Sequence, residues 1–321
     1  MNDIEQANSA IQSEEHHGGQ QKFRRAERFP DLGRVRETVE VHFPTAWPAT
    51  EASLSAIATL LLKDNYNPTA LILEGRASSI KTTVLDFFAQ AGQLVYRSDK
   101  FTPKAFVSHH AAAKKESLAK VDLLPRIKHR VMVTPELAPV FRAREEELID
   151  NFTILTRVLD GQGLTTDSGT HGRRGYEGDH LFTWLGATTP LPPRTWRVMA
   201  QLGSRLYFWP MPGDEPTDQE LDEAITGEMS YREKLEACQE VVGEFVAELF
   251  GWYGGVRSAE WDRLATPKVL LGNLRDMSRM VCRLRGVVSI WREAKDGELT
   301  HSPANIELPY RAGAIFFNIA R

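Results

Sequence analysis

The stretch Ala70-Leu71-Ile72-Leu73-Glu74-Gly75-Arg76-Ala77-Ser78-Ser79-Ile80-Lys81-Thr82-Thr83 decides how this chain is read. An apolar run over Leu71–Leu73 leads into Gly75, and a short polar loop follows. Lys81 and Thr82 then open a segment with apolar residues at Val84, Leu85, Phe87 and Phe88. That order predicts strand, loop and helix. The spacing from Gly75 to Lys81-Thr82 fits the phosphate-binding loop G-x-x-x-x-G-K-[ST], with Ile80 where the second glycine belongs. In such a loop the backbone N–H groups wrap phosphates, and the start of the helix adds to the attraction. Lys81 supplies a point charge for the β- and γ-phosphates, and the Thr82 hydroxyl is a Mg²⁺ ligand. Ile80 takes away the room and backbone freedom that a glycine gives beside the lysine. An ordinary strand-to-helix turn is the competing reading of the same residues.

The rest of the composition sets bounds. The chain has 321 residues, 42% hydrophobic and 26% charged, enough for one large or two smaller domains. A formal net charge of -4 means that any contact with nucleic acid has to be local. Cys238 and Cys282 fall inside helical patterns and read as buried thiols in a reducing compartment. No signal peptide and no run long enough to span a bilayer is visible, so the expected location is the cytoplasm.

Taken outward from the loop, residues 1–28 read as a loose polar arm. Glu51–Lys63 is an expected helix, with Leu54, Ile57, Ala58 and Leu61 on one face. Leu94-Val95-Tyr96 is a second short strand. Arg130–Glu136 is a buried-type strand ending in an acid, and Glu136 is the candidate catalytic base. Arg142–Leu159 is an expected helix that stops at Asp160-Gly161. A β-hairpin is expected over residues 162–180, its tip carrying His171, Arg173 and Arg174 as candidates for contact with DNA phosphates. Exposed charges on a hairpin give the same pattern with no ligand. Leu181–Thr189 is an apolar strand ending in Thr188 and Thr189, either of which can orient a hydrolytic water. Trp196–Leu202 is a short helix, and Arg205 precedes the run Leu206-Tyr207-Phe208, where it can reach a neighbour's γ-phosphate. After Gly213 the character turns helical, with helices expected over Tyr231–Trp252, Pro267–Lys295 and Ile315–Ala320. The last pattern runs to Arg321 without a stop signal, which suggests a helix cut short.

In this order the parts resemble AAA+ ATPases over roughly Pro48 to Arg321. The motifs carrying the likeness are Gly75–Thr82 (Walker A), Val131–Glu136 (Walker B), Leu181–Thr189 (sensor 1), Gly203–Phe208 (arginine finger) and Pro309-Tyr310-Arg311 (sensor 2). The hairpin before Leu181 resembles that of the clade holding MCM helicases, MoxR ATPases and enhancer-binding activators. The resemblance implies an α/β fold, a P-loop αβα sandwich with a C-terminal all-helical lid. The implied domains are a core over 29–213 and a helical region over 214–321. It implies ATP and Mg²⁺ as cofactors, held by Gly75, Arg76, Ala77, Ser78, Ser79, Ile80, Lys81, Thr82 and Thr83 at the junction of two subunits of a homo-oligomeric ring, usually a hexamer. It implies Lys81, Thr82, Glu136 and a sensor threonine acting in cis, Arg205 in trans, and Arg311 closing the lid on the γ-phosphate. The chain departs from the family pattern at Ile80, at Pro135 in place of the Walker B aspartate, and in a threonine sensor. The expected activity is ATP hydrolysis driving a DNA motor, helicase or helicase loader. A MoxR-like remodelling ATPase and a non-hydrolysing nucleotide switch are the alternatives.

Overall fold

The computed structural model describes residues 25–108, 121–168, 172–202, 205–213, 215–288, 290–292 and 298–321. Five parallel strands form the central sheet: β1 (Thr69–Glu74), β2 (Val95–Arg97), β3 (Val131–Thr134), β6 (Thr183–Thr188) and β7 (Leu206–Pro210). Their order is β2-β3-β6-β1-β7. Helices cover both faces, so every central strand is buried on both sides and reads as a continuous apolar run.

Alternate side chains of each strand enter two separate cores. Leu71, Leu73, Val131, Val133, Leu185 and Ala187 face α1 (Leu32–His42), α2 (Trp47–Ala58) and α3 (Lys81–Asp86). Ala70, Ile72, Met132, Phe182, Trp184 and Leu206 face the opposite layer. That layer comprises α4 (Leu123–Ile127), α5 (Ala138–Phe141), α6 (Glu145–Val158) and α7 (Pro193–Leu202). Between α6 and β6 the hairpin β4 (Gly163–Ser168) and β5 (Gly172–Glu177) stands apart from the sheet, as its sequence predicts.

The C-terminal third differs from expectation. Residues 218–253 form α8 (Asp218–Thr226) and α9 (Tyr231–Tyr253). α9 starts at a capping box between Ser230 and Glu233. Its Val242, Phe245, Val246 and Phe250 belong to the first core, so position 213 does not divide the packing. The helix expected over Pro267–Lys295 is α10 (Lys268–Leu284), and it stops before Gly286. Val288 continued the helical period past that stop, yet Val287 bridges Asn305, and β8 (Ile290–Arg292) pairs with β9 (Leu299–His301). The region is therefore not all helix. The last helix, α11 (Tyr310–Ala320), lays Phe316 edge-on against Tyr207 of β7, with ring centres 5.4 Å apart. Both cysteines are buried, and burial pushes the Cys238 thiol up to about 12, so these are packing residues. No described helix is long and apolar enough to cross a membrane.

The end of α11 is tied back to the entry of β1. Asp64 Oδ2 accepts from Arg321 Nη1 at 2.9 Å and from Arg263 Nε at 2.5 Å. The Arg321 hydrogen bond, opposed by burial and helped by Arg263, brings the carboxyl down to about 2 from 3.8. A depressed carboxylate stabilises the fold above its unfolded value and loses that effect as pH falls through its folded value. The expected result is a melting temperature for Asp64→Asn below wild type at pH 5, with the gap closing toward pH 2. A constant gap across that range would mean that the charge of Asp64 plays no part.

Candidate functional site

Parallel strands all point their C-terminal ends to one edge of the sheet, where open α/β sheets bind ligands. At that edge the loop 75–80 leaves the centre of the sheet. β1 lies between β6 and β7, with Glu74 level with Thr188 and Pro210. Gly75 N–H donates to the Thr188 carbonyl at 3.2 Å, and Met211 N–H donates to the Glu74 carbonyl at 2.8 Å. A Cβ on Gly75 would lie 2.5 Å from Ser79 Oγ and 2.9 Å from Met211 Cβ, so the turn closes only over glycine.

The loop contains two non-glycine residues in left-handed backbone, Ser78 at φ 63° and Ile80 at φ 50°. Ile80 thus adopts the conformation for which the phosphate-loop pattern reserves a glycine. For a β-branched residue this costs on the order of 1–2 kcal/mol. Such strain persists only where surrounding structure over-determines it. Here Ile80 packs against the first core and directly precedes α3.

Lys81 is buried beneath this loop. Its ammonium donates to the Arg76 carbonyl and to Ser79 Oγ, the latter at 3.0 Å. Burial lowers its pKa, and the charge of Glu136 pulls it back up, which puts the two groups within electrostatic reach. Thr82 is exposed at the helix start, whereas Thr83 is buried with its hydroxyl 2.9 Å from Tyr231 Oη. Thr83 therefore joins α3 to α9 and does not line the loop. α3 has only six residues before it tightens into a 3₁₀ turn over Phe87–Gln90, so charge at this site comes chiefly from Lys81 rather than from the helix.

Glu136 stands two residues past β3, at the same edge of the sheet. Its Oε1 accepts from Ala138 N–H at 2.8 Å, capping α5. β3 and β1 are separated by β6, so Glu136 is roughly 10 Å across the sheet from the loop. Thr188 and Thr189 finish β6 between them. Thr188 Oγ1 donates to the Thr189 carbonyl at 3.0 Å and is used up in the turn. Thr189 Oγ1 is buried with no partner among the described residues, an uncommon state for a hydroxyl. Of the two, Thr189 is the group free to meet a ligand.

The two expected arginines lie elsewhere. β7 runs parallel to β1 with Leu206 level with Ala70, so Arg205 sits at the N-terminal end of the sheet, about 20 Å along the strand from the loop. Its Nε pairs with Asp160 Oδ1 at 3.2 Å, and Arg311 Nη2 pairs with the same oxygen at 2.6 Å. Arg311 is thus held at the end of the sheet opposite the loop of its own chain, away from the γ-phosphate on which the resemblance has it close. The reason is tertiary: α11 packs on α2 and on Tyr207 of β7, away from the loop edge. Asp160, which organises both cations, was not singled out by sequence; its only local signal is the glycine stop that follows it.

The hairpin arginines are also engaged. Arg173 pairs with Glu177, and Arg174 Nη1 donates to the Ser108 carbonyl at 3.2 Å. Tyr176 Oη and the Ser108 hydroxyl both donate to Asp122, which ties the hairpin to the body of the protein. Arg173 is the more exposed of the two. His171 lies outside the described residues.

A divalent cation finds few protein ligands here. No group of three or more His, Cys, Asp or Glu residues is gathered among the described residues. Pro135, half-buried, takes the position where a carboxylate was expected. The donor set that remains, one threonine hydroxyl beside a lysine, suits Mg²⁺ arriving on phosphate oxygens, since that ion keeps most of its shell as water and phosphate.

No family model and no curated protein matches this sequence. Among solved structures, the apo structure of the NrS-1 C terminal region is similar at TM-score 0.40 and 12% identity, over 80% of this chain and 56% of that one. An A form apo structure of the same region gives TM-score 0.39 and 11% identity, over 82% and 57%. The chain thus spans little more than half the length of the solved structures it is similar to.

Proposed function

We propose that this chain is an ATPase of the AAA+ type, binding ATP with Mg²⁺ at the Gly75–Thr82 loop and hydrolysing it in the service of DNA. The observation that carries the reading is the placement of Lys81. A buried ammonium is turned into a loop of backbone groups at the C-terminal edge of five parallel strands, with the charge of Glu136 in reach. The orphaned Thr189 hydroxyl beside it supports the same reading. In this reading the sheet and its helices are a P-loop core, and α10 and α11 are its lid.

The chain's own residues divide the work. Lys81 exchanges the Arg76 carbonyl and Ser79 hydroxyl for phosphate oxygens. Thr82 holds Mg²⁺, which when bound neutralises charge on the β- and γ-phosphates. Glu136 leaves the Ala138 amide and accepts the proton of the attacking water, while Thr189 orients that water. Arg205 and Arg311 face away from their own loop and serve the loop of a neighbouring subunit. Arg173 is the residue offered to DNA phosphates.

Two observations favour a second reading, a switch that binds nucleotide without turnover: Pro135 in place of a carboxylate, and Glu136 engaged in capping α5. ATP hydrolysis by wild type and Glu136→Gln, with and without single- and double-stranded DNA, separates the readings. The expected result is turnover raised by DNA and lowered about 10²–10⁴-fold in Glu136→Gln. Turnover indifferent to DNA would replace the DNA client by a protein one, as in MoxR-like remodelling. Tight ATP binding with no turnover would overturn hydrolysis in favour of the switch.

A further inference from the structure

A cavity of about 880 Å³ separates the free edge of the sheet from the last two helices. β7 ends the order β2-β3-β6-β1-β7, so its outer side has no strand beside it. α2 and α7 flank that side, and α10 and α11 close over it through Val281 and Phe316. The volume is within the roughly 300–1,000 Å³ of small-molecule sites, which are mainly apolar and often lie where two packed units meet. The strand leaves one peptide unit turned into this space. Met211 N–H donates to the Glu74 carbonyl, and along a strand alternate residues turn their N–H and C=O to the same side. Tyr207 and Trp209 therefore bond to β1, while Leu206, Phe208 and Pro210 face outward. The Leu206 carbonyl accepts from Arg285 Nη2 at 2.7 Å, and Pro210 has no N–H. The N–H and C=O of Phe208 are left without a partner among the described residues.

Walls and charges together select the ligand. Trp196, Tyr207, Phe208, Trp209 and Phe316 line the cavity, and their faces suit a planar apolar body and a cation set over them. The charged lining residues are Glu51, Glu307 and Arg285. Arg285 is already engaged, by the Leu206 carbonyl and by the Tyr207 ring, whose centre lies 4.7 Å from its guanidinium carbon. Glu51 is exposed and Glu307 half-buried, and neither has an ion pair or hydrogen bond among the described residues. Burial pushes the Tyr207 hydroxyl up to about 12, and the charge of Glu307 adds to this against that of Arg285, which puts Glu307 within electrostatic reach of the aromatic wall. The charge left unmatched in the cavity is therefore negative.

We propose that this cavity binds an aromatic amine, its planar body among the rings at the edge of β7 and its ammonium at Glu307. A ring N–H on such a ligand donates to the Phe208 carbonyl. The two unpaired carboxylates reject the same body carrying a carboxylate or phosphate. The occupant touches β7, α2 and α11 at once, so it holds the C-terminal helices on the sheet and stabilises the fold as its concentration rises. The site shares no residue with the phosphate loop and stands whatever that loop binds.

The test is calorimetric titration of the full chain with tryptamine, with indole-3-propionate (the same ring, opposite charge) and with putrescine (charge without a ring). Tryptamine is expected to bind at least about tenfold more tightly than either of the others. Glu307→Gln is expected to weaken tryptamine at least about fivefold and leave indole-3-propionate no weaker. Ala200→Trp, which places an indole in the cavity from α7, is expected to abolish binding. Circular dichroism checks the fold of each variant; if Ala200→Trp does not fold, Glu307→Gln decides alone. Tryptamine that fails to bind, or that binds Glu307→Gln or a folded Ala200→Trp as tightly as wild type, would overturn the site. Indole-3-propionate binding as tightly as tryptamine would overturn the choice of charge. Tryptamine affinity is expected to be the same with and without ATP and Mg²⁺; displacement by ATP would put the probe at the phosphate loop and overturn the assignment to this cavity.

Discussion

Lys81→Ala is expected to weaken ATP binding by about two to three orders of magnitude while leaving the fold in place. The ammonium makes two hydrogen bonds in the loop, to the Arg76 carbonyl and to Ser79 Oγ. Exchanging them for phosphate oxygens replaces neutral acceptors with charged ones. Hydrogen bonds between charged groups contribute about 1.5–3 kcal/mol each, so the loss of two such bonds gives about a hundredfold or more. Stability has opposing terms. The variant loses both bonds but is relieved of a buried charge whose desolvation already lowers the pKa of Lys81. The net change is expected within about 1 kcal/mol. A fluorescent-nucleotide titration beside a urea melt checks both parts. Unchanged affinity in a folded variant would remove the phosphate site from this loop. A variant that unfolds would instead make Lys81 a structural closure of the turn.

The parts legible in the sequence are those set by neighbours along the chain. Gly75 and Lys81-Thr82 are close enough along the chain that the order strand, loop and helix is readable from spacing alone. The strands over 71–73, 131–134 and 183–188 read clearly because a parallel sheet covered on both faces makes its strands uniformly apolar. Even Ile80 was readable as a departure, although its left-handed backbone was not. What depends on distant packing is not legible along the chain. Only Val35 and Val39 of α1 are buried, so its charged remainder concealed a helix that Asp31 caps. The periodicity predicts α10 too long, because Val288 keeps the helical period after Gly286 has ended the helix. The resemblance has Arg311 close a lid on the γ-phosphate, and the motif alone says nothing of where the helix that carries it docks. The position of Arg311 is set by Asp160, some 150 residues earlier in the sequence, and by the docking of α11 on β7.

The same dependence on distant packing makes Trp184 the residue whose loss should cost most. Trp184 is fully buried in β6, between β3 and β1 at the middle of the sheet. Its ring meets Phe101 edge-on at 5.4 Å, and its Nε1–H donates to Thr134 Oγ1 on the neighbouring strand. Truncation to alanine removes a large buried aromatic and leaves a cavity, for an expected loss of about 3–5 kcal/mol. Trp184→Phe separates the two roles of the ring. It keeps most of the apolar contact but deprives Thr134 of its donor, for about 1–3 kcal/mol. Thr134 closes β3 only two residues before Glu136. In the phenylalanine variant the end of β3 is therefore expected to loosen, lowering turnover beyond what reduced stability explains while ATP affinity at the loop stays near wild type. Urea melts with an unchanged slope test the stability part. Hydrolysis measured well below the melting temperature tests the other. Turnover that matches wild type in Trp184→Phe would confine the Trp184–Thr134 bond to holding the sheet together and separate it from the placement of Glu136.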